Sequence, residues 1–140
     1  MMGASGPCEN DSKVPDKSLR FLGVWRFIVF LNIGTVIYLS LMPAPEQMGQ
    51  FFGMDKIMHI LAYSFCMFWA GLCFKGKKNT VIFSTGLILM GIMLEIVQGM
   101  TGYRSMSIFD AAANSVGVFT GIMLGRTRLG MLLSYVEKWI

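Results

Sequence analysis

Five ionisable side chains, Asp55, His59, Glu95, Arg104 and Asp110, interrupt or border stretches of this chain that are otherwise apolar enough to span a bilayer. A charge in hydrocarbon costs about 2.5 to 3.5 kcal/mol even on mild insertion scales, so such residues face a bundle interior or a wet cavity. Together they have the parts for proton transfer. His59 can act as general acid or base, Glu95 or Asp110 can orient or assist it, and the Arg104 guanidinium can hold an anionic group such as phosphate. The spacing supports no Ser-His-Asp arrangement. One histidine among carboxylates offers a divalent metal only a mixed, oxygen-rich site, so no metal ligands are assigned and no cofactor is named. Cys8, Cys66 and Cys73 form no Cys-x-x-Cys or Cys/His spacing, which argues against a closed structural zinc site.

The elements that must position these groups follow from composition. With 54% hydrophobic and 14% charged residues in 140, the chain is too apolar for a soluble domain of its size and reads as a small integral membrane protein. Four apolar runs, about 21–42, 57–74, 80–97 and 108–125, each approach the ~20 residues that cross a ~30 Å hydrocarbon core. The expected fold is all-α, a four-helix transmembrane bundle over residues 21–125, after a disordered tail at 1–20 and before an amphipathic tail at 126–140. The first run is longer than a signal-peptide core and lacks a small-x-small cleavage pattern, so it is expected to remain as a span. Ten of the 12 basic residues flank the runs on one side, which by the positive-inside rule places both termini in the cytoplasm. That asymmetry also accounts for the net charge of +4 through contact with acidic lipid, with no nucleic-acid partner required.

This topology brings the polar residues to one place. Asp55, His59 and Tyr63, spaced at four, share a face of the second span and descend ~12 Å from its outer end. Glu95 and Gln98 share a face at the outer end of the third. Asp110 and Asn114 do so at the outer start of the fourth, and Arg104 lies in the loop between those two spans. The predicted pocket is outward-facing, with His59, Glu95 and Asp110 as candidate catalytic residues and Arg104, Asp55, Tyr63, Gln98 and Asn114 as candidate ligand-binding residues.

Plainer roles compete for several of them. Asp55 is placed to cap span two, Asn79 or Thr80 to cap span three, and Ser107-x-x-Asp110 reads as a capping pair that opens span four. Gly99 and Gly102 are expected to end span three. Lys56 can snorkel to the interface, Tyr63 can bury its ring for one hydrogen bond, Gln98 and Asn114 can glue helices, and Glu95 can pair with Arg104. His59 and Glu95 lie a turn or more inside apolar helices, where caps are not needed. Ala113, Gly117, Gly121 and Gly125 repeat every four residues and leave a smooth stripe for close packing, within the bundle or, through Gly117, Gly121 and Gly125, in a homo-oligomer.

In order and spacing, Asp55-Lys56-x-x-His59-x-x-x-Tyr63, Glu95-x-x-Gln98, Arg104 and Asp110-x-x-x-Asn114-x-x-Gly117-x-x-x-Gly121 resemble the VanZ-like family of small bacterial membrane proteins. Ser40-Leu41-Met42-Pro43 is similar to the family's usual end to its first helix, and the likeness spans roughly residues 30 to 125. The resemblance implies a multi-pass protein of the bacterial plasma (inner) membrane, in a family named for a protein linked to teicoplanin resistance; it supplies no reaction. Three functions stay open: a catalyst or modifier of a lipid-linked or cell-envelope molecule, a non-catalytic module that binds an envelope precursor, glycopeptide or partner protein, and a small transporter. The last is the least suited, because the polar groups gather on one side without an inner set to complete a path.

Overall fold

The structure is a computed structural model that describes residues 20–43, 53–102 and 106–139. Its described residues form helices and no strands: α1 (Leu22–Leu41), α2 (Met54–Cys73), α3 (Lys77–Met100), α4 (Ile108–Gly125), a 3-10 turn (Arg128–Met131) and the short α5 (Leu132–Val136). The first four are each long and apolar enough to cross a membrane, as in a multi-pass membrane protein. Much of their surface is apolar and exposed, including Phe27, Phe30, Leu89 and Phe119, which suits helices with lipid as a neighbour.

Helix ends depart from the sequence expectations in ways that local chemistry explains. α1 stops at Leu41 because Met42, with ψ 147°, takes the extended backbone imposed on a residue before proline. α2 starts three residues earlier than the apolar run, behind Gly53 at φ +92°, so Asp55 lies inside the first turn rather than at the cap. α3 starts behind Gly76, at φ +104°, and neither Asn79 nor Thr80 caps it; their side chains donate back to the Lys75 and Gly76 carbonyls from within the first turns. The helix runs through Gly99 and ends before Gly102, whose φ of +76° suits only a residue without Cβ. Ser107 is the N-cap residue of α4, but its side chain makes no cap hydrogen bond, and Asp110 pairs across to α2 instead of closing a capping box.

The glycine stripe on α4 sets the tightest packing. A Cβ at Gly117 would lie 2.6 Å from the Ile60 carbonyl oxygen, and one at Gly121 would lie 2.5 Å from that of Ser64. Both separations are shorter than carbon can tolerate, so α2 and α4 touch backbone to backbone only because these positions carry hydrogen. The Ser64 hydroxyl donates to the Gly117 carbonyl at 2.9 Å and seals the contact. Gly117 and Gly121 are therefore consumed within the protomer, while a Cβ at Gly125 would meet nothing within 4 Å. Ile60 faces Gly117 and Ser64 faces Gly121, so positions rise together and the two helices run parallel, with α3 as the return stroke between them.

α1 and the C-terminal segment pack more loosely. Val29 is the one buried residue among those of α1, and it joins Ala70, Leu72, Cys73 and Leu133 in a cluster bordered by Trp25, Trp69 and Phe74. The expected tail at 126–140 is folded back on the bundle: Leu133 is buried, and Glu137 reaches the start of α1. Residues 1–19, most of the predicted disordered tail, lie outside the described residues.

Candidate functional site

Of the polar residues predicted to meet, those the structure describes gather at one end of the bundle, where α2 and α4 begin and α3 finishes. His59 is fixed first. Its Nδ1 lies 2.9 Å from Asn114 Oδ1. A carboxamide oxygen can only accept, so Nδ1 carries the proton and donates. In the neutral ring Nε2 then holds the lone pair, and it faces Asp55 Oδ1 at 3.7 Å, beyond hydrogen-bond range. Asn114 is almost fully buried and Asp55 half exposed, so the ring, itself 12% exposed, is anchored on its inner side and faces Asp55 on its outer side. The arrangement gives His59 a proton-accepting atom beside a carboxylate at the mouth of the site.

Asp110 is the second fixed point. Its carboxylate is buried on the first turn of α4 and forms an ion pair with Lys56 Nζ at 3.0 Å, while the Lys56 side chain stays 44% exposed. A carboxylate without a counter-charge at this depth would be costly, and the ammonium supplies one while the lysine stem lies along the helix surface. Lys56 is thus part of the site, one residue from a position the sequence marked. Asp55, His59 and Asp110 each offer a ligand atom within 4.8 Å of the others.

Below His59, Tyr63 is 1% exposed, and its hydroxyl has no hydrogen-bond partner among the described residues. It reaches α3 beside Gly91, where a Cβ would stand 3.2 Å from the hydroxyl and 2.9 Å from Asn114 Nδ2. Gly91 therefore makes the space that both side chains use. Gly91 was not predicted as part of the site. Its spacing with Glu95 and Gln98 on one face of α3 is the sequence signal that would have found it.

Glu95 and Gln98 occupy the same end but are drawn into structure. The buried Glu95 carboxylate accepts the Ser107 N–H at 3.2 Å, which places negative charge at the positive end of α4 and takes the bond that Asp110 would accept in a capping box. Gln98 Nε2 donates to the Ser40 carbonyl at 2.6 Å, tying α3 to the last turn of α1. Arg104 falls outside the described residues, in the connection from α3 to α4. Comparison of the chain with family models, with curated proteins and with solved structures finds no match.

Proposed function

We propose that this chain is a VanZ-like protein of the bacterial plasma membrane, both termini cytoplasmic, whose polar end opens outward and acts on a lipid-linked or cell-envelope molecule. The observation that carries the reading is the His59 ring, anchored through Nδ1 by Asn114 with Nε2 left toward Asp55. A histidine held so that one nitrogen stays open is the usual arrangement for moving a proton to or from a bound group. Lys56, with Arg104 from the adjoining loop, supplies positive charge for a phosphate or other anionic head group. The outward placement rests on the ten basic residues that the sequence sets beside the other ends of the spans. The link to teicoplanin resistance rests on the resemblance alone.

A second reading, a module that binds such a molecule without chemistry, is favoured by the structural use of Glu95 and Gln98, which leaves His59 with fewer partners for catalysis. The test is mass spectrometry of molecules that copurify with wild-type protein and with His59→Ala. A bound lipid-linked molecule retained by His59→Ala, with function lost, supports action on it. Loss of the molecule, with no turnover by wild type, supports binding alone. If function persists in His59→Ala while folded protein falls, the site is structural and the proposal fails.

A further inference from the structure

We propose that Asp55, His59 and Asp110 form a divalent cation site, suited to Mn2+ or Zn2+, for which the Lys56 ammonium is an internal competitor. The ligand atoms lie within 4.8 Å of one another, two from successive turns of α2 and one from the start of α4. Two ligands on one such ion, with bonds of about 2.1 Å, sit about 3.0 to 3.4 Å apart in octahedral or tetrahedral geometry, so the triangle must close by up to about 1.8 Å. Asp55 is 49% exposed on the first turn of α2, so its carboxylate is the ligand that can shift with the least repacking. One imidazole with two carboxylates matches Mn2+ or Zn2+ better than Mg2+ or Ca2+, which prefer oxygen alone.

Two observations point to an occupant. The first is the orientation of His59: a histidine that binds metal through one nitrogen commonly donates its other N–H to a fixed acceptor, and Asn114 Oδ1, outside the cluster, is that acceptor at 2.9 Å. The second is Asp110 Oδ1, a buried ligand atom with no hydrogen-bond donor aligned on it among the described residues. A buried polar atom without a hydrogen bond costs about 1 to 3 kcal/mol, and a bound cation would satisfy it.

Lys56 decides how the site is filled. Its ammonium lies 3.0 Å from Asp110 Oδ1, on an atom the cation would use, and no hydrogen-bond donor among the described residues is aligned on that oxygen. The side chain is 44% exposed and can withdraw along the interface, so binding is an exchange of one positive charge for two. Removing the lysine charge therefore tightens binding, the opposite of what a residue that only braces the fold would do.

The measurement uses full-length protein in detergent, stripped with chelator, and Mn2+ alone, followed by the loss of the free-ion paramagnetic resonance signal. It involves no envelope molecule, so its outcome is independent of the proposed activity. Wild type should bind one ion per chain. Asp110→Asn and His59→Ala should each weaken binding at least about tenfold, as should Asp55→Asn, whose exposed position spares the fold; Asn114→Ala should cost about 10- to 100-fold as a loss of orientation. Lys56→Gln should tighten binding about tenfold, since an internal ammonium no longer competes. Absence of saturable binding in wild type overturns the proposal, as does wild-type affinity in Asp55→Asn and Asp110→Asn, or equal or weaker binding in Lys56→Gln.

Discussion

α2 and α1 are both apolar helices of 20 residues, yet they join the bundle by opposite means. α2 is held along its length. Lys56, His59, Ile60 and Ser64 each meet α4, through an ion pair, a hydrogen bond or backbone contact across a glycine. α1 buries one residue and is held at its ends, where Gln98 binds the Ser40 carbonyl and the Glu137 carboxylate accepts from Arg20 N–H, Phe21 N–H and the Trp25 indole. Between those clamps it rests on aromatic contacts, Trp25 on Trp69 at 6.0 Å and Phe30 on Phe74 at 6.4 Å, and on the partly buried Ile33 and Val36. In lipid there is little hydrophobic drive to bring apolar helices together, so a helix must either pack its backbone closely or be fastened by polar groups. The side chains of the candidate site stand on the helices that pack closely, where their geometry is most constrained.

The largest expected effect comes from separating α2 from α4. Gly121→Val forces a branched side chain against the Ser64 carbonyl and Met67, and should destabilise the fold by about 3 kcal/mol or more, read as loss of monodisperse protein on heating in detergent. If stability is unchanged, the contrast between the helices collapses. Gly91→Ala should cost less, about 1 to 3 kcal/mol, because it meets side chains rather than backbone; it should displace Asn114 and Tyr63 and broaden the His59 imidazole resonances in NMR while the bundle survives. Gln98→Ala removes one clamp and should cost about 1 kcal/mol, with faster amide exchange confined to the last turn of α1.

The smallest effect is expected at Glu137, which is only partly buried. Burial alone would push its carboxyl up, but the Phe21 N–H, the Trp25 indole, the Arg20 N–H and the Arg20 charge together hold it below the usual carboxylate value. A group with a depressed folded value contributes its stability above the unfolded value and loses it as pH falls through the folded one. The α1 clamp should therefore hold at neutral pH and loosen in acid. Trp25 fluorescence should show an acid transition that Glu137→Gln removes, while the α2 and α4 contacts stay intact.

Much of this was legible in the sequence because lipid imposes simple rules. The four helices, the gathering of His59, Asp110 and Asn114 at one end, and the small-residue spacing of Gly117 and Gly121 all follow from hydropathy and period alone. What was not legible depends on which partner wins. Asp55 and Asp110 looked like caps from local spacing, but His59 lies near the first and Lys56 binds the second, and attraction to a neighbouring charge outweighs a cap that glycine geometry or Glu95 already replaces. Gly99 and Gly102 were expected to end span three; the helix stops before Gly102 but runs through Gly99, since a glycine inside a membrane helix costs little when Met106 packs beside it, at 3.0 Å from where its Cβ would stand. The Glu137 clamp joins residues more than 110 positions apart and leaves no periodic trace.

The parallel pairing of α2 with α4 has a consequence for synthesis. α2 leaves the ribosome before its partner has been made, and α3 must cross back before α4 can enter beside it. Through that interval Lys56, His59 and Ser64 have no α4 groups to meet, and the Ile60 and Ser64 carbonyls have no glycine pressed against them. The site is thus finished only when α4 arrives, and the arrival of Asp110 and Asn114 neutralises the lysine and fixes the histidine in one event.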